Sequence, residues 1–89
     1  MEKILVKKLN AQELKALGVE KWGIWTCEPK TFDYHYDDKE SCQILEGKVT
    51  VKTPDQEVSF GPGDFVVFPK GLSCTWKVFE AVKKHYKFG

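Results

Sequence analysis

The sequence predicts an all-β fold: a small antiparallel sandwich or barrel with one short helix near its N-terminus. Two observations lead there. Between residues 40 and 74, strand-length apolar runs alternate with breaks at Glu46-Gly47, Thr53-Pro54-Asp55, Gly61-Pro62-Gly63-Asp64 and Pro69-Lys70-Gly71. Short alternating runs between such breaks mark half-buried strands, and no helix of ordinary length fits between them. The second observation is composition. Of 89 residues, 42% are hydrophobic and 13% aromatic, which suits one folded domain over residues 1–89.

The elements follow in chain order. Residues 2–9 (EKILVKKL) read as a short edge strand whose lysines discourage edge-to-edge pairing. Residues 10–18 (NAQELKALG) form the one helical piece. Asn10 is placed to cap it, Glu13 sits at the capping-box position, and Gly18 supplies the stop. A helix of about two turns is unstable alone, so Leu14 and Leu17 are expected to pack on the sheet. Residues 21–28 (KWGIWTCE) read as a strand with Trp22, Ile24 and Thr26 on one face and Gly23, Trp25 and Cys27 on the other. Both faces are apolar enough to be covered. Residues 31–36 (TFDYHY) place Phe32, Tyr34 and Tyr36 on one face and Asp33 and His35 on the other. Residues 37–39 are a turn. Residues 40–45 and 48–53 read as a hairpin around Glu46-Gly47. Strands are expected at 56–60, 64–68, 73–79 and 82–88. That makes seven to nine short strands, the pattern of a sandwich or barrel.

Charge and cysteine content narrow the function classes. The net charge is +1, from 14 basic and 13 acidic residues mixed along the chain. No basic stripe points to nucleic acid. All the basic residues are lysine, so the bidentate clamps that arginine offers phosphate are lacking. Cys27, Cys42 and Cys74 are odd in number and widely spaced, which speaks against a disulfide framework or structural zinc. No signal peptide or membrane-length apolar run is present, so a reduced, cytoplasmic protein is expected, with no membrane partner.

The glycine and proline frame resembles the cupin superfamily of small jelly-roll barrels. The family's first block is His-x-His, three or four residues, Glu, six residues, Gly; Glu40, SCQILE and Gly47 match its second half. The second block is Gly, five residues, Pro-x-Gly, two residues, His, three residues, Asn. Gly63, DFVVF and Pro69-Lys70-Gly71 match its frame, with Cys74 at the histidine position and Val78 at the asparagine position. Gly23-Ile24-Trp25, Leu45-Glu46-Gly47, Trp76 and Tyr86 make the frame most similar to the cupin domain of ureidoglycine aminohydrolase. The resemblance covers residues 20–88 and implies a jelly-roll barrel with an interior site.

What it implies for that site depends on register. Four residues before Glu40 put Asp33 and His35 at the paired ligand positions; three put Tyr34 and Tyr36 there. The first register yields ligand-type residues. It implies a divalent transition metal (zinc, iron or manganese) held by His35, Glu40, Cys74 and Asp33. The protein would then be a metal-assisted enzyme acting on a small nitrogenous or carboxylate metabolite. The second register gives a small-molecule-binding barrel without metal. Its aromatic pocket would draw on Trp25, Tyr34, Tyr36 and Trp76, with Cys42 on the face of Glu40. A third reading is a structural dimer with a barrel filled by side chains. Cupin sheets pair through edge strands, which implies a homodimer with the N-terminal strand as donor. Simpler roles are expected for Asp64 as a turn cap, His85 as an exposed residue and the lysines as solvated faces.

Overall fold

Residues 3–89 are described by a computed structural model. Seven strands form an antiparallel sheet: β1 (Leu5–Lys8), β2 (Gly23–Cys27), β3 (Lys30–His35), β4 (Glu40–Lys52), β5 (Glu57–Phe60), β6 (Asp64–Phe68) and β7 (Ser73–Phe88). One helix, α1 (Ala11–Leu17), stands between β1 and β2.

Two long strands, β4 and β7, organise the sheet. They pair along most of their length, from Glu40 opposite Phe88 to Lys52 opposite Thr75. Each changes its other neighbour halfway. Residues 40–43 of β4 pair with β6, and residues 49–52 pair with β5. Residues 82–86 of β7 pair with β2, and residues 73–78 pair with β3. The register slips between Ile44 and Val49, at the change of partner. Bulges there bend both strands, so one sheet folds over itself. Cys42, Ile44 and Val82 from one half then share a core with Val49, Val51, Trp76 and Val78 from the other.

Four expectations are corrected. Glu46-Gly47 is not a hairpin turn: β4 continues through it with a bend, and residues 73–88 form one strand rather than two. Gly47 is required there for a different reason. Its φ is 101°, and a Cβ would lie 2.5 Å from the Ala81 carbonyl oxygen and 2.6 Å from Val82 Cα. Glycine thus lets β4 cross close to the bend of β7. The hairpin that does follow β4 turns at residues 53–56, where the Thr53 N–H donates to the Gln56 carbonyl at 2.8 Å. The barrel is also not closed. β1 and β2 are the two ends of the strand path. Both are short, and β1 carries Lys7 and Lys8, which suits an edge better than a seam. Finally, the Ile24 face of β2 is uncovered, with Ile24 48% exposed, while Trp25 and Cys27 pack on the core.

The helix has the expected caps. Asn10 and Glu13 exchange hydrogen bonds of 2.8 and 3.1 Å, and Gly18 closes the helix at φ 71°. Its packing differs from expectation: no helical residue is buried, and Leu17 is 48% exposed. Val19, in the turn that follows, is buried instead. β1 matches the expected edge strand, although residue 2 lies outside the described residues. Asp64 caps its turn as expected, accepting from the Gly61 N–H at 2.8 Å and pairing with Lys8 at 3.0 Å.

Candidate ligand-binding site

Strand alternation and the β3–β7 register decide what faces inward. Phe32 pairs with Trp76 and Tyr34 with Cys74; Phe32, Trp76 and Cys74 pack in or against the core, while Tyr34, on the same face, lines the pocket and is 41% exposed. Asp33 pairs with Thr75 and His35 with Ser73 on the opposite face. There Thr75 Oγ1 donates to Asp33 at 2.7 Å, and His35 Nδ1 lies 2.7 Å from Ser73 Oγ. Both pairs are exposed. Tyr36 is 1% exposed and lies within the core. The register that puts Tyr34 and Tyr36 inward is therefore the one the chain adopts.

The candidate metal ligands do not converge. Glu40 and Cys74 are buried, whereas Asp33 and His35 lie across the sheet from them. Among the described residues no group of three or more His, Cys, Asp or Glu is arranged to hold a metal ion. Glu40 already has a cation: Lys84 Nζ lies 3.3 Å from each of its carboxylate oxygens. A divalent ion at Glu40 would meet that ammonium, so the donor set does not fit one.

These strands instead line an open aromatic pocket of about 190 Å³. Trp25, Phe32, Tyr34, Tyr36, Trp76 and Tyr86 supply most of its wall, with Phe88, Glu40 and Lys84 completing it. The wall is fixed by ring packing. Tyr36 stacks on Phe68 at 4.8 Å, and Phe32 stacks on Trp76 at 5.9 Å. Trp25 meets Trp76 edge-on at 5.9 Å. The Trp76 indole N–H donates to the Tyr36 hydroxyl at 3.2 Å, which satisfies both polar ends inside the core. Burial, followed by the negative charge of Glu40, pushes the Tyr36 phenol up, so it stays protonated.

Lys84 and Glu40 form the polar part of the wall. Their side chains are each 5% exposed. The ammonium also lies 4.8 Å from the Trp25 ring centroid and 4.7 Å from that of Trp76. Two indole faces and a carboxylate thus replace the water removed from this charge. Cys42 lies beside the pair, fully buried, and burial pushes its thiol up to about 12. Cys74 is raised to about 11 by burial as well. Neither is a ready thiolate nucleophile.

Of the pocket residues expected from sequence, Trp25, Tyr34, Tyr36 and Trp76 line the cavity, while Cys42 lies in the core outside its lining. Phe32, Tyr86, Phe88 and Lys84 were missed. Lys84 had been grouped with the solvated lysines, yet it shares a strand face with Val82, Tyr86 and Phe88, and that alternation was the available signal. His85 is half-buried rather than exposed, with its Nδ1 atom enclosed.

Comparison with known proteins agrees with this architecture. A DUF861 family protein from Thermotoga maritima is 49% identical, with a TM-score of 0.95 over 98% of this chain and 100% of that one. The EutQ protein of Clostridium difficile superposes with a TM-score of 0.69 at 20% identity, over 96% of this chain and 66% of that one. A putative ethanolamine utilization protein Q from Salmonella typhimurium gives 0.68 at 18% identity, over 98% and 69%. The chain thus spans about two thirds of the EutQ chains, and at these identities they share its fold alone. No curated protein matches the chain. Among the described residues no helix is long and apolar enough to cross a membrane. The EutQ-like cupin domain matches residues 14–86, and the chain belongs to that cupin family.

Proposed function

We propose that this cupin binds a small, flat, largely apolar molecule carrying one polar group, and that it does so without a metal. The observation that carries this reading is the Lys84–Glu40 pair set into an aromatic wall. A core filled only for stability would gain from an apolar pair of the same volume, because desolvating two charges offsets most of their attraction. The walls supply stacking surface, and the ion pair supplies one donor and one acceptor to orient a polar substituent. An apolar cavity of about 150 Å³ holds benzene, so the volume here suits a single ring.

Metal-assisted chemistry on a nitrogenous or carboxylate metabolite, as in the ureidoglycine branch, finds less support. It needs Asp33 and His35 on the face they do not occupy. A homodimer through the β1 edge belongs to the same proposal, and light scattering measures it.

Benzyl alcohol and benzoate are suitable probes because Trp25 and Trp76 form the wall and report on it by fluorescence. Saturable quenching by either, abolished by Trp25→Ala, is the expected result. A linear, non-saturating response to both overturns the reading.

A further inference from the structure

We propose that Lys84 condenses with a small aldehyde in the aromatic cavity to form an imine, making the site selective for carbonyl compounds. The inference rests on the proposed ligand pocket and adds covalent chemistry to it. Three observations carry it. Lys84 lines the pocket with a side chain that is only 5% exposed, so its ammonium sits in the pocket wall rather than out in solvent. Both Glu40 oxygens lie 3.3 Å from Nζ, within reach of the proton that must leave. Lastly, the indoles of Trp25 and Trp76 hold Nζ at 4.8 and 4.7 Å, so the nitrogen is positioned before any ligand arrives.

The chemistry balances with these two side chains alone. Glu40 takes one proton from the Lys84 ammonium and frees the nitrogen lone pair. That pair forms a C–N bond to the carbonyl carbon, and the π electrons of the C=O bond move to oxygen. One proton passes from nitrogen to that oxygen and gives a neutral carbinolamine. Glu40 then returns its proton to the hydroxyl as the nitrogen lone pair expels it as water. The products are a protonated imine, one water and the Glu40 carboxylate. Net charge is unchanged. The iminium keeps its positive nitrogen beside the same carboxylate and indole faces, so the groups that hold the ammonium also hold the product. Exposed lysines such as Lys8 and Lys48, at 71% and 72% side-chain exposure, also have a carboxylate neighbour, Asp64 and Glu80, but in solvent and without the indole faces.

The test is reductive trapping. The whole protein is incubated with benzaldehyde below stoichiometric amounts together with cyanoborohydride, and benzylated lysines are located by peptide mapping. Lys84 is expected to be labelled first, about tenfold ahead of any exposed lysine. Excess benzyl alcohol, which fits the cavity but forms no imine, is expected to protect Lys84 and leave Lys8 unaffected. Glu40→Gln is expected to slow labelling at Lys84 by about a hundredfold and at Lys8 not at all. The proposal is overturned if exposed lysines react first, or if benzyl alcohol does not protect Lys84. Saturable benzyl alcohol binding with no label at Lys84 rejects the imine and leaves the pocket. Loss of both rejects the pocket as well.

Discussion

Removing the charge of Lys84 while keeping its length tests how the cavity wall is held. Lys84→Met leaves a side chain of similar volume against Trp25 and Trp76 but strands the Glu40 carboxylate. That carboxylate sits in a residue that is 4% exposed, and the Lys84 ammonium donates to both of its oxygens. Breaking a buried pair from one side costs about 3–5 kcal/mol, because the remaining charge stays desolvated. The lost cation–π contacts add to this, at about 2 kcal/mol for a desolvated site. Urea unfolding followed by tryptophan fluorescence reads the change. With a slope of about 1.5 kcal/mol per molar urea, the midpoint falls by at least about 2 M. The double variant Lys84→Met/Glu40→Leu removes both charges and is expected to recover most of the loss. Recovery locates the cost in the orphaned carboxylate rather than in lost packing. A single variant within about 1 kcal/mol of wild type would refute the reasoning, since that is the scale of a solvated surface pair.

Other outcomes follow from the same geometry. Gly47→Ala combines a φ of 101° with a Cβ 2.5 Å from the Ala81 carbonyl oxygen, so it is expected to cost at least about 3 kcal/mol or to prevent folding; thermal unfolding checks it. Stability is also expected to fall in alkali. The Cys42 thiol ionises near 9.0 when free and is held up at about 12 by burial, so its contribution is intact below pH 9 and is lost as pH rises toward 12. In that window the unfolded chain binds fewer protons, which gives a slope of about −1.4 kcal/mol per pH unit from this group. Cys42→Ala should remove that share, and urea midpoints across the window measure it; equal slopes in the two proteins would count against it.

Legibility in the sequence followed the range of the interactions. The helix was readable to its caps because Asn10, Glu13 and Gly18 act within one short segment. Asp64 was readable as a turn cap for the same reason. The bend at Glu46-Gly47 was not. A glycine after a strand-length run reads as a turn, and only the partner strand shows that Gly47 makes room for the backbone of Ala81 and Val82. Leu14 and Leu17 had the spacing of a buried stripe, yet the helix buries no residue and Val19 makes the contact instead. Seven residues offer too little face for periodicity to decide. Closure of the sheet was beyond local reading too, because it depends on whether two distant edges meet.

The site shows a sharper version of the same limit. Period-two alternation gave two self-consistent faces for residues 31–36 and no means of choosing between them. Preferring Asp33 and His35 assumed that ligand-type residues face the interior. The opposite holds: tyrosine gains more from burial than aspartate or histidine does, and Trp76 stands ready to satisfy the Tyr36 hydroxyl. The same argument applied to β7 selects Lys84. Val82, Tyr86 and Phe88 fix its face, and Glu40 lies on the matching face of β4 with Cys42 between them in register. A charged residue on the apolar face of a strand calls for an opposite charge on the facing strand. Here each residue accounts for the other: Glu40 is buried because Lys84 reaches it, and Lys84 is buried because Glu40 and two indoles replace its water. Chemistry in this cupin is therefore to be sought at the place where β4 and β7 bring that pair to the aromatic wall.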